Sequence, residues 1–159
     1  MELLLVVTII GIAAAYAIPQ YQQYTVRSRV IEGLTLADGA KMCVWDTLAT
    51  GNPQGLPAGY AVGFVSPSPT ANVAGVALNG ATGAITIQYT PAAGGGTLVL
   101  NPYVGGVAAA TPLPVGTAPF APPVLEISWQ CAAAGATIIP GSGGIVGTTL
   151  PQNAPSSCR

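Results

Sequence analysis

Histidine is absent from this 159-residue chain, and charge is scarce: four Lys+Arg and five Asp+Glu make up 6% of it, against about a quarter in an average soluble domain. Without histidine there can be no His-based triad, no HExxH metal site and no imidazole proton shuttle. A net charge of −1 with four scattered cations offers no electrostatic footprint for nucleic acid, so direct nucleic-acid binding is not supported. Glu126 has no partner carboxylate in the later part of the chain, which removes acid/base pairs of the glycosidase kind. Gly94–Gly96 and Gly141–Gly144 lack the GK[ST] ending of a phosphate cradle and read as turns. No enzymatic function, catalytic residue, metal site or cofactor is expected.

The nine charges are unevenly placed. Glu2, Arg27, Arg29, Glu32, Asp38, Lys41 and Asp46 take seven, leaving Glu126 and Arg159 for everything from Thr47 onward. The length suits one domain with a real core. Twenty-one Gly and fifteen Pro fall just short of a disordered composition. A mean hydropathy of +0.57 is high for a soluble protein and places part of the chain in lipid or in an oligomer.

That part is Leu3–Ile18, LLLVVTIIGIAAAYAI, interrupted only by Thr8, Gly11 and the Tyr16 hydroxyl. The run is slightly short for a bilayer span, which takes about 20 residues. A signal-peptide core is disfavoured. Glu2 stands where such a core wants Lys or Arg, Ala13–Ala17 runs into Ile18-Pro19, and a helical pattern continues to about Thr50. The two halves read as one long helix, first apolar and then amphipathic. Glu2 suits the first helical turn, where the macrodipole favours an anion; alternatively it awaits a cation from another chain. Pro19 removes a helical N–H and Gly11 loosens the backbone, so a weak stretch is expected between them.

The segment ELLLVVTIIGIAAAYAIPQYQQYTVRSRV resembles the N-terminus of bacterial type IV pilins. The likeness covers a Glu before an Ile-Pro, the Ile-Ile-Gly-Ile core and the Tyr-x-x-Tyr-Thr-x-x-Ser exit. It implies that a prepilin peptidase cleaves a short leader after a Gly and methylates the new amine. Because Glu2 matches the family's glutamate, that leader, its Gly and the first three mature residues are expected upstream of Met1; the alternative is that Met1 is a true start which the peptidase cannot process. The resemblance assigns Glu2 to neutralising the terminal amine of the next subunit, with Gly11 and Pro19 as the sites of local extension during assembly.

Beyond Tyr21, Val30, Leu34, Ala37, Val44 and Leu48 form one apolar stripe with Lys41 inside it, while Ile31, Met42 and Trp45 lie to one side. Two partial faces suit a helix that packs on its own sheet and on neighbouring helices. Arg29–Glu32 and Asp38–Lys41 are spaced to pair on the surface. Gly51-Asn52-Pro53 ends the helix. Gly55–Asn72 reads as a loop. Strands are expected at Val73–Leu78, Ala84–Tyr89, Thr97–Leu100 and Val124–Trp129, with a turn at Asn79-Gly80 and an irregular, proline-rich Asn101–Pro123. In the last strand Leu125, Ile127 and Trp129 should face the core, and Glu126 and Ser128 solvent. The fold class is α+β: a helical region, residues 1–52, packed on a roughly four-stranded antiparallel sheet within a globular region, residues 53–159.

Cys131 and Cys158 bracket a Gly-rich, nearly uncharged segment too sparse to hold itself by burial, and a bridge would restrain it. Trp129-Gln-Cys131 with Leu150-Pro151 and Ser-Ser-Cys158-Arg159 resembles the C-terminal disulfide loop of Gram-negative pilins, and a bridge requires an oxidising compartment such as the periplasm. Cys43 is left over, either as a small buried apolar side chain or as an intersubunit bridge. Tyr16, Tyr21, Tyr24 and Trp45 could suggest an electron-conducting stripe, but the first three are better explained by interfacial packing and helix contacts. Ser66, Ser68, Thr70, Ser156 and Ser157 lie beside or near prolines and are candidates for O-glycosylation.

The resemblance implies a structural subunit, held in the inner membrane and polymerised with copies of itself into an extracellular surface filament for adhesion, twitching motility or DNA uptake. Its partners would be the pilus assembly machinery and the prepilin peptidase. The alternatives are a minor pilin or a type II secretion pseudopilin.

Overall fold

The computed structural model describes residues 2–122 and 126–159 of the chain. A helical rod leads into an antiparallel sheet, and a disulfide-closed loop covers the sheet's opposite face. Helix α1 spans Glu2–Leu36 and α2 spans Asp38–Thr50. They are separated by one turn residue, Ala37, which keeps helical dihedrals (φ −76°, ψ −11°) and whose carbonyl still accepts from the Lys41 N–H at 3.1 Å. The expected single helix is therefore one rod with a mild irregularity. It ends where Gly51 takes a positive φ of 75° and returns its N–H to the Thr47 carbonyl. Only glycine adopts that conformation without strain.

The strands are β1 (Val73–Leu78), β2 (Ile85–Tyr89), β3 (Thr97–Val104), β4 (Thr111–Pro112) and β5 (Ile127–Ala132). β1 pairs with β2, β2 with β3, and β3 with both β4 and β5, all antiparallel. The β1–β2 turn is built by Asn79, whose side-chain oxygen accepts from the Ala81 and Thr82 N–H groups. Such a carboxamide ordinarily performs this role in tight turns.

Three expectations change. β3 continues four residues beyond Leu100, and β4 forms inside the stretch expected to be irregular. Pro102 accounts for the interruption. The β2 ladder ends at Leu100, opposite Ile85, and β4 takes over at Tyr103, opposite Pro112. A residue without an N–H is tolerated at such a gap in a ladder. The final strand begins at Ile127 and runs to Ala132; Val124 and Leu125, and hence the inward orientation expected of Leu125, lie outside the described residues. Ile127 and Trp129 pack on the core as expected, and Glu126 is exposed.

Alternation sorts the sheet's two faces. Ile85, Ile87, Tyr89, Leu98 and Leu100 bury against Val30, Ala37 and Ala40 of the helices. A second cluster gathers Val44, Leu48, Tyr60, Val104 and Leu113, and Trp129 touches both. The sheet's other face carries Thr86, Val99 and Asn101, with Val99 and Asn101 also buried. Asn101 is buried because the disulfide loop lies on it. Its Nδ2 donates to the Ile145 carbonyl at 2.8 Å and its Oδ1 accepts from the Ile145 N–H at 3.0 Å.

Candidate assembly surface

The rod divides at about Thr25. Before it no large side chain among the described residues is buried, and Leu3, Ile9, Ile12, Tyr16 and Ile18 are all more than half exposed. After it Val30, Gly33, Ala37, Ala40, Val44, Thr47 and Leu48 are buried. The first half is therefore a free apolar cylinder. Burying apolar surface is worth about 25 cal/mol per Å², so a helix apolar on all sides is stable only in lipid or against other helices. Glu2–Thr50 is long and apolar enough to cross a membrane. Glu2 lies in the first turn, the place the macrodipole favours for an anion. Gly11 has open space around it, and Pro19 sits inside the helix without breaking it. The weak stretch expected between them is thus helical in the isolated chain.

The second half is fastened to the sheet by contacts that local spacing does not reveal. Tyr89 donates its hydroxyl to the Val30 carbonyl at 2.7 Å in a buried site. Burial and the neighbouring Glu32 charge hold that phenol above the usual tyrosine range. Gly33 faces the same ring: a Cβ there would lie 2.7 Å from Tyr89 Cε1 and 2.8 Å from Ile87 Cγ2. Glu32 does not pair with Arg29. It accepts from the Thr70 hydroxyl at 2.7 Å and from the Asn72 amide at 2.6 Å, which hold its carboxyl below the usual range. Arg29 instead donates to the Ala92 carbonyl at 2.6 Å, and Arg27 to the Gln152 carbonyl at 2.8 Å. Charge-assisted bonds to fixed carbonyls outcompete an exposed i,i+3 pair, worth only a few tenths of a kcal/mol. The Asp38–Lys41 pair does form, at 2.9 Å, and is the only ion pair among the described residues.

Cys131 and Cys158 are bridged, with Cα atoms 4.5 Å apart. The loop they close is held by more than the bridge. Besides Asn101, the Gln130 side chain donates to the Thr137 carbonyl and accepts from the Ile139 N–H. The Thr97 carbonyl accepts from the Thr148 and Thr149 N–H groups. Asn101 and Gln130 each lie one residue beyond an expected strand, and neither they nor their loop partners could be read from the sequence as a fastening. Cys43 is free and half-buried on α2, and Ile31, Met42 and Trp45 form an exposed flank.

Of the hydroxyls singled out for modification, Ser68, Ser156 and Ser157 are exposed. Ser66 is exposed but donates to the Val76 carbonyl at 2.8 Å. The Thr70 hydroxyl is occupied by Glu32 and by the Asn72 and Val73 N–H groups.

The sequence profile of the family described as Pilin (bacterial filament) matches residues 26–159. A type IV major fimbrial protein FimA of Dichelobacter nodosus strain VCS1703A is 38% identical over 127 residues, covering 66% of this chain and 78% of that protein. A fimbrial protein of Dichelobacter nodosus is 43% identical over 79 residues, covering 50% of this chain and 49% of its own. The free apolar rod, the antiparallel sheet and the disulfide-closed loop agree with these matches, and the chain belongs to the pilin family of bacterial filament proteins.

Proposed function

We propose that this chain is the structural subunit of a type IV pilus, polymerising through α1 into an extracellular surface filament. The observation that carries this reading is the unburied first half of α1, which the globular part leaves bare and only neighbouring helices or lipid can cover. Before assembly the same segment would hold the subunit in the inner membrane, where the prepilin peptidase and the assembly machinery act on it. Glu2 would supply register. A carboxylate amid apolar helices costs on the order of 3 kcal/mol when uncompensated, and a terminal ammonium on the adjoining subunit would offset that cost. Gly11 and Pro19 mark where the helix can extend as subunits pack. The fimbrial relatives favour this reading over a secretion pseudopilin.

The test is to purify surface filaments from a producing cell and sequence their main subunit. This chain should be that subunit, and filaments lacking it would overturn the reading. Glu2→Ala should remove filaments while leaving the subunit folded in the membrane; normal filament yield would exclude the register role. Exposed Ser68, Ser156 and Ser157 are the hydroxyls best placed for O-linked sugar. An intact filament-subunit mass equal to that of the methylated, disulfide-bonded polypeptide would exclude it.

A further inference from the structure

The globular part carries a cleft of about 320 Å³ on the sheet face away from the helices. Its walls include Pro112, Val115 and Ile145, and its polar side chains are Asn101 and Ser142, both already bonded to the loop, together with Asn79, Thr82 and Thr86. No charged side chain lines it. Val115 and Ile145 at its edge are both more than half exposed. The polar groups of Asn79, Thr82 and Thr86 are underused. The Asn79 carbonyl oxygen is taken by two turn N–H groups, which leaves its NH₂ to donate. The Thr82 hydroxyl only accepts, from the Ala84 N–H, and that of Thr86 has no partner among the described residues. The cleft therefore offers hydrogen-bond donors between apolar walls. The Asn101–Ile145 pair fixes one wall in advance.

Elsewhere on the same molecule is a segment with the complementary deficit. Val65 is 85% exposed, more than any other large apolar side chain among the described residues. It begins the run Val65-Ser-Pro-Ser-Pro69, where Pro67 and Pro69 have no N–H and bias the preceding serines to extended backbone. The run thus presents an apolar tip and a surplus of carbonyls. Both of its ends are anchored: Phe64 packs on the core, and the Thr70 hydroxyl is held by Glu32. Docking such a pre-extended segment costs little further ordering, as in the recognition of proline-rich peptides generally.

From these two surfaces we propose that the Val65–Pro69 tip of one copy seats in the Thr86–Ile145 cleft of the next. The occupant is a second copy because the chain belongs to a filament family, and the two surfaces share no residue. A contact between different patches is heterologous, and if it does not close into a ring it repeats without end, as a filament requires. The inference rests on the subunit reading above.

The test uses full-length chain in surface filaments, with Val65→Cys and Val115→Cys introduced together and each alone. Oxidation should convert the doubly substituted subunits into a ladder of covalent oligomers, and neither single variant should do so. In V65C filaments, maleimide should react at least tenfold more slowly than in detergent-dissociated subunits. Filaments that show no ladder and equal maleimide rates would overturn the contact and leave the cleft to a soluble uncharged ligand. If V65C blocks assembly, hydrogen exchange on the wild-type chain replaces it: the Val65, Ser66 and Ser68 amides should exchange at least tenfold more slowly in filaments than in dissociated subunits. Equal exchange would overturn the proposal. Absence of the wild-type chain from surface filaments is a separate result, which overturns the subunit reading itself.

Discussion

Gly33 shows how a single missing methyl fastens the helix to the sheet. In an exposed helix, alanine would improve on glycine by up to about 1 kcal/mol. Here the added Cβ meets the Tyr89 ring and Ile87, and overpacking of this kind costs about 1–3 kcal/mol. Gly33→Ala should therefore lower unfolding stability by roughly 1–2 kcal/mol, measured by urea denaturation in detergent. A gain in stability would mean that the Tyr89 ring moves aside freely. Glu32 makes a different prediction at the same scale. Its carboxyl is held below the usual range by Thr70 and Asn72. A depressed carboxylate adds stability above its unfolded pKa and loses it as pH falls through the folded value. The melting temperature should thus fall on going from neutral to strongly acidic pH, and Glu32→Gln should flatten part of that fall. Identical pH profiles for the two proteins would show that the carboxylate does not fasten the Thr70–Asn72 loop.

The disulfide loop behaves as an element because its fastenings are distributed. In the chain-entropy model, closing a loop with a sequence separation of 27 is worth about 3.5 kcal/mol. Removing the bridge with Cys131→Ser and Cys158→Ser should lower stability by about that amount, read from urea midpoints. Asn101→Leu should act differently. It leaves the Ile145 N–H and carbonyl unpaired, at a cost of about 1–3 kcal/mol, and should speed chymotryptic cleavage near Ile145 with the bridge intact. Element boundaries were legible in proportion to how local their causes are. The apolar run, Gly51, the alternation of Ile85, Ile87 and Tyr89, and the Asn79 turn act within a few residues, and the structure keeps all of them. The extension of β3 past Pro102 depends on a change of partner strand, which periodicity cannot show. Arg29 and Glu32 were spaced for each other, yet each found a stronger partner far away in sequence, at Ala92 and Thr70. The assembly segment was visible because its lack of burial is written in composition. The cleft was not visible, because Thr82, Thr86 and Ile145 meet only through the sheet and the loop laid on it.

At the scale of the whole molecule, solubility and fold separate along the rod. Val30 is the first fully buried apolar residue of α1, so a chain beginning at Thr25 retains every core contact and loses the apolar cylinder. It should be monomeric without detergent by size-exclusion chromatography, with a melting temperature close to that of the full chain. Assemblies of the full chain would hold together through apolar surface, where salt screening has little to act on. Their integrity should be unchanged between low and high sodium chloride by electron microscopy; dissociation at high salt would place charge pairs in the contacts. The four cations carry a last consequence, for digestion outside the cell. Arg27, Arg29 and Lys41 all lie on the helical rod, and no Lys or Arg occurs between Lys41 and Arg159. Trypsin-like proteases therefore find no cleavable bond between Lys41 and Arg159, and those on the rod are locked in helix. A filament built from such subunits would stand in a protease-rich medium with its exposed surface chemically invisible to that class of enzyme.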